Sequence, residues 1–561
     1  MVGKWRGICS KLSYDRDSKE KWKGSHQFVF TCIAAAYSFT TVVEFARLVF
    51  TWSGLFLFQY LILLLTVGFP MIYVESILGQ FSNCSPVYVY NICPAAVGLG
   101  IGSVIYAFIT SLYHYVFLLY SISYAFFSCF AELPWTACIA WWRPTENCYV
   151  FEKKLVLPFC SKMGKLNFTV GIDCREWTPS AEEFWRQYVS GGDRSEPLSF
   201  TNIKWSFAAL IILFWILTYI VSSKGIAAIA KISWLLVLCT STLLLILSIF
   251  SLTLDGAARG IAQGFTPKFP SIIKMNSWKE AAIQIIGTFN INYGIMATYS
   301  SFNNFNHKLY RDLVILCLIM VVTALCSCIF VFSVVGNLAF KLHKTMDELM
   351  PHDTWTLCFV LVPQALSNVV WPQVWSFLFF MFLSLLPFAF HFAVIQVVLT
   401  SIFDGVPVLK TVRKWVCFVY CFIATAVGLT YSTHNGKKIY EFMKIYCLPS
   451  IPFSFLFAVG KIIIVSWIYG WENFLHDVEF MLGKRHSWLL TVCLSFVDPF
   501  TILFLFIHCS CDFFLDASTT TSKYPAWVQF IGWFLILMPV LPTLIGFVCD
   551  ARKHRKYKAR H

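Results

Sequence analysis

The stretch EFARLVF, Glu44 to Phe50, sets a carboxylate and a guanidinium three residues apart in a run, Phe28 to Leu65, that carries no other charge. A run of that length and composition is fit for lipid, where an ionisable side chain is costly and faces a bundle interior or a water-filled path. Glu44 and Arg47 lie at i, i+3 on one helical face, so they can neutralise each other locally. The alternative is a partner on another span. Both readings stay open on the sequence around EFARLVF alone.

The rest of the chain agrees with the bilayer reading. Of 561 residues, 58% are hydrophobic and only 13% charged, and the mean hydropathy is +0.68. A soluble domain is about a quarter charged. Runs of spanning length fall near 28–51, 55–78, 100–130, 205–222, 232–253, 280–302, 313–340, 370–402, 415–432, 445–468, 487–510 and 526–549, which gives an all-α polytopic chain of about twelve spans. Residues 1–27 read as a polar, basic tail without the apolar core of a signal peptide. Residues 28–549 then form the membrane domain and 550–561 a second basic tail.

The net charge of +14 does not point to nucleic acid. Its basic residues collect in tails and short loops: Lys4 to Lys23, Lys410 to Lys414, Lys484–Arg485 and ARKHRKYKAR. That pattern marks the cytosolic side and places both termini there, with anionic lipid as a neighbour of the tail. The polar segment 132–203 then lies outside. It holds Cys138, Cys148, Cys160 and Cys174 and the sequon Asn167-Phe168-Thr169, consistent with an oxidising, glycosylating compartment. Cys138 and Cys148 are close enough for a short-loop bridge, and the pairing of Cys160 and Cys174 stays open. The sequon at Asn83 falls on the cytosolic side. No HExxH, GxSxG, Walker loop or paired metal-binding cysteines occur in the sequence, so an enzyme is not expected.

Several stretches resemble the neurotransmitter:sodium symporter family, solute carrier family 6. They are GFPMIYVESILGQF, ELPWTAC followed by Cys148, EEFWRQYV, SKGIAAIAK, LTLDGAARGI, WKEAAIQIIGTF, SFNNFNHKLYRD, IYGWENFLHDVEFMLGKR and YPAWVQFIGWFL. All follow in family order. The resemblance implies two five-helix inverted repeats plus two further spans, with spans 1 and 6 broken near the midplane. It implies a secondary active transporter of the plasma membrane that moves a small, amino-acid-like zwitterion with sodium and chloride. It also supports the Cys138–Cys148 bridge.

The same resemblance places the substrate at Ala35, Ser38, Phe39, Thr40, His114, Asn290 and Tyr293. It places sodium-site remnants at Ala34, Ala36, Tyr37, Thr41 and Thr288, with Thr41 and Thr288 in the first sodium site. Sodium is a hard cation that takes oxygen ligands, and here the family's span 7 ligand is Met320. At the second sodium site the aligned residues are Ala389 and Phe390, with His391 beside them, and none offers a side-chain oxygen. Chloride ligands persist at Tyr60, Gln284 and Thr288 but not at Met320 or Ala324. Ion coupling is therefore expected to be eroded. Ser38 replaces the aspartate that pairs monoamines, which argues against such substrates. The family's outer gate aligns with Glu44 and Lys444, both reversed in sign, and its inner gate with Lys19 and Asp404. An alternative to transport is a transport-impaired member acting as a regulatory or trafficking partner.

The sequon generates a first prediction. Asn167→Gln should increase the gel mobility of surface-expressed protein by the loss of one glycan, and Asn83→Gln should not. Unchanged mobility of the Asn167 variant would remove the proposed glycan.

Overall fold

The computed structural model describes residues 19–93, 96–146, 148–150, 178–191, 203–447, 452–483, 488–520 and 525–558. Asn167, Cys160 and Cys174 lie outside these, as do residues 1–18 of the N-terminal tail, and of Thr40 only the backbone is described. Among the described residues, ten helices are long and apolar enough to cross a membrane, and a bent pair makes eleven.

The bent pair is span 1, Ser25–Ala36 and Thr41–Trp52, with 68° between its halves. Span 2 is Leu55–Ser82, span 3 Val97–Phe127, span 4 Trp205–Ser223 and span 5 Ile226–Leu252. The run expected at 280–302 is divided into Met275–Thr288 and Ile295–Ser300, which we call span 6. Span 7 is Leu309–Leu342, span 8 Pro372–Gly405 and span 9 Arg413–Ser432. Span 10 is Phe455–Leu482, preceded by the helix Gly436–Cys447. Span 11 is Leu490–Phe513 and span 12 Ala526–Gly546.

Helices dominate because hydrocarbon offers the backbone no other partner. Both interruptions have local causes. After Ala36 the chain leaves helix at Tyr37, whose ψ of 105° is extended. It re-enters as a wide turn over Thr40–Glu44, where the β-branched run Thr40 to Val43 fits a regular helix poorly. In span 6, Asn290 (φ 55°) and Gly294 (φ 70°) take the left-handed conformation, which these two residue types tolerate.

The polar loop after span 3 packs back on the bundle. Cys138 and Cys148 form a disulfide, as expected. Cys148–Tyr149 pairs in parallel with Thr178–Pro179. Glu183 accepts the Thr145 amide at 3.0 Å and the Thr178 hydroxyl. The Trp185 ring stacks on Phe359 with centroids 4.6 Å apart, which fastens the loop to the short apolar helix Thr354–Leu366.

Span 2 meets the second half of span 6 almost backbone to backbone. A Cβ on Gly79 would lie 2.2 Å from the Ala297 carbonyl oxygen and 2.7 Å from its Cα. Small residues allow such approach between membrane helices. Gly79→Ala should therefore destabilise the protein by about 1–3 kcal/mol, the usual cost of overpacking. Thermal unfolding of the purified protein reads this as a lower Tm, and an unchanged Tm would contradict the close packing.

Candidate functional site

The two breaks face each other, and side chains take up the backbone groups they free. The Ser38 and Thr41 hydroxyl oxygens are 2.9 Å apart, and the Thr41 amide donates to Ser38 Oγ at 3.3 Å. The Thr41 hydroxyl reaches the Ala36 carbonyl at 3.0 Å and Thr288 Oγ1 at 3.3 Å. Asn290 Nδ2 donates to the Ala35 carbonyl at 2.8 Å and to the Thr288 carbonyl at 3.4 Å. A carbonyl and two hydroxyls thus converge on Thr41, next to a carbonyl of Ala35 held by Asn290.

An aromatic wall closes one side. Tyr293 packs on Tyr106 with centroids 4.9 Å apart and on Phe390 at 5.4 Å. Phe390 meets the His114 ring at 4.3 Å. Phe39 packs on Phe117 at 4.1 Å. On the span 6 break and span 3, Asn292 Nδ2, Asn292 Oδ1 and His114 Nδ1 are buried polar atoms with no hydrogen-bond partner among the described residues. Asn292 is 1% exposed. A buried amide without partners is expensive.

The ion positions implied by the sequence differ among themselves. Ala36, Thr41 and Thr288 are brought together, as described above, and Ala34 and Tyr37 are buried beside them. Tyr37 is itself held by Ser241 at 2.8 Å. Tyr60 is hydrogen-bonded to Thr288, and Gln284 is buried on the same helix. Met320 and Ala324 are buried and bring no donor. At Ala389, Phe390 and His391 there is no side-chain oxygen, and both His391 ring nitrogens lack a partner among the described residues.

Charged groups sit at both ends of this site. At the end near the residue 82–85 turn, Lys19 Nζ lies 3.4 Å from Asp404 Oδ2, 2.9 Å from the Asn83 carbonyl and 3.1 Å from Ser301 Oγ. Asp404 also accepts the Ser85 amide at 2.8 Å. At the disulfide-loop end, Arg47 Nε donates to Glu44 Oε2 at 3.3 Å, and a second guanidinium nitrogen meets Oε1. The Thr354 hydroxyl donates to the same carboxylate. Of the two partners open to Glu44, the local Arg47 is the one engaged. Among the described residues no ion pair joins Glu44 to Lys444, which lies on the helix Gly436–Cys447. That helix lines a 550 Å³ cavity together with Trp185, Arg186, Asp353 and Thr356.

Several contacts escaped the sequence reading. Tyr106 carries no motif signal. Thr354 becomes a partner of Glu44 only through the fold. Glu75 and Lys461 were findable, because each is a lone charge in an apolar run, the signal that singled out Glu44.

Comparison with known proteins fits this geometry. The profile of the Sodium:neurotransmitter symporter family matches residues 19–553. The chain is 29% identical over 528 residues to the Drosophila melanogaster sodium- and chloride-dependent GABA transporter ine, covering 92% of this chain and 53% of that protein. It thus spans about half the length of that relative. It is 27% identical over 555 residues to the Xenopus laevis sodium- and chloride-dependent glycine transporter 2, with 95% and 69% covered. Against the human sodium- and chloride-dependent neutral and basic amino acid transporter B(0+) it is 27% identical over 556 residues, with 94% and 85% covered.

The Glu44 contacts predict the outcome of two double-mutant cycles read by thermal unfolding. Glu44→Gln and Arg47→Gln should couple by about 0.5–3 kcal/mol, as groups in contact do. Glu44→Gln and Lys444→Gln should add to within about 0.5 kcal/mol. Strong coupling of Glu44 to Lys444 in this measurement would contradict the local pairing.

Proposed function

We propose that this chain, which belongs to the Sodium:neurotransmitter symporter family, carries a small amino-acid-like zwitterion across the plasma membrane with reduced ion coupling. The carrying observation is the buried Asn292 side-chain amide, without a partner on either atom among the described residues, in the span 6 break. An amide presents a donor and an acceptor together. The solute carboxylate takes the Asn292 and His114 donors, and its ammonium gives to Asn292 Oδ1 and to carbonyls of the broken stretches. Tyr293 covers the solute from the aromatic wall. Ser38, in place of a carboxylate, leaves no fixed anion for a monoamine.

One sodium site, on Ala36, Thr41 and Thr288, supplies the coupling. A carbonyl and two hydroxyls suit a hard cation. The second position takes no sodium, because Ala389 and Phe390 bring no side-chain oxygen and the Phe390 ring packs between His114 and Tyr293. Tyr60, Gln284 and Thr288 give a weakened chloride site. The Lys19–Asp404 pair closes the cytosolic path. The Glu44–Arg47–Thr354 contact closes the outer path, since it joins the second half of span 1 to the helix that carries the outer loop. A binding role without transport is the second reading, favoured by the same missing oxygens.

The test is uptake of radiolabelled glycine, GABA, and neutral and basic amino acids into proteoliposomes, with sodium or choline outside. At least one solute should accumulate faster in sodium. Asn292→Ala should reduce that uptake about 5- to 150-fold, the equivalent of leaving the solute about 1–3 kcal/mol short of its hydrogen bonds. No uptake of any solute by correctly folded protein would favour the non-transporting reading.

A further inference from the structure

Span 10 carries a lone lysine in the run FLFAVGKIIIVSW, and it is not at a membrane surface. Lys461 is 5% exposed. Its ammonium lies 3.2 Å from Glu75 Oε1, on span 2, and Glu75 is 4% exposed. The same ammonium donates to the Ile291 carbonyl at 2.6 Å. Ile291 belongs to the non-helical stretch between Asn290 and Gly294, where span 6 is interrupted. Glu75 Oε2 has no partner among the described residues.

This arrangement is more specific than an ion pair. A buried pair contributes little net stability, and a hydrophobic pair of equal volume often does as well. What an apolar pair cannot do is bond a carbonyl that a broken helix has freed. In hydrocarbon such a carbonyl needs a donor. Lys461 brings three donors on one nitrogen, enough to serve Ile291 and Glu75 together. Glu75, with acceptors only, cannot take its place. The order of the charges therefore matters: the cation must be the group beside the break.

We propose that Lys461 is a positioning residue whose tethered ammonium holds the span 6 break in its solute-binding form, with Glu75 as its counter-charge. Ile291 adjoins Asn292, so fixing the Ile291 carbonyl fixes the peptide that carries the unpartnered amide. Span 10 then moves with the break, or releases it, whenever the carrier changes conformation. The solute-binding part rests on the function proposed above, whereas the hold on the break does not.

Hydrogen–deuterium exchange of peptides covering residues 289–295, in purified protein without solute, tests the hold directly. Lys461→Met should speed exchange there at least tenfold. The swap Glu75→Lys with Lys461→Glu keeps a buried pair but sets a carboxylate against the Ile291 carbonyl, and it should speed exchange equally. Glu75→Gln leaves the ammonium on Ile291 and should change exchange less than threefold. Protection of the swap at the wild-type level would overturn the proposal, as would tenfold faster exchange in Glu75→Gln. If Lys461→Met fails to fold, the contrast between Glu75→Gln and the swap still decides. Because no solute or flux enters the measurement, its failure is separate from a failure of the transport assay.

Discussion

Two interrupted helices in hydrocarbon impose the constraint on which the rest of this structure depends. Each interruption frees amides and carbonyls that lipid does not bond, at several kcal/mol per group. The chain answers by placing the interruptions against each other and closing them with short polar side chains. Ser38, Thr41, Thr288 and Asn290 do this directly. Lys461 does it from span 10. The result is a cluster of polar side chains and backbone groups at the meeting point of the two breaks.

The surroundings follow from that need. Gly79 lets span 2 approach the second half of span 6, which brings Glu75 within reach of Lys461. The Tyr106, Tyr293, Phe390 and His114 rings seal the side away from the hydroxyls. The Lys19–Asp404 and Glu44–Arg47 contacts stand at the two ends of the site, whereas the Lys461–Glu75 pair is buried at the span 6 break.

Much of this was legible in the sequence. The family resemblance implied both breaks, and hydropathy gave the spans to within a turn or two. Span 10 was the exception: its run was expected at 445–468, whereas Phe455–Leu482 crosses and Gly436–Cys447 forms a separate helix. Lys437, Lys438, Glu441 and Lys444 make that preceding helix amphipathic, which a hydropathy average blurs. The partner of Glu44 was not legible, because Arg47 and Lys444 are equally good charges and only the fold decides between them. Lys461 stands out as a lone charge in an apolar run, but its partners Glu75 and Ile291 are set only by the fold. That Met320, Ala389 and Phe390 carry no side-chain oxygen is a property of the residues themselves and needs no fold to read.

The central claim is a carrier with one working sodium position rather than two. Equilibrium binding of radioactive sodium to the purified protein tests it most directly, with and without a saturating transported amino acid. The account predicts at most one sodium per chain, lost when Thr41→Val and Thr288→Val are combined. Two sodium ions per chain, or one that survives the loss of both hydroxyls, would contradict it.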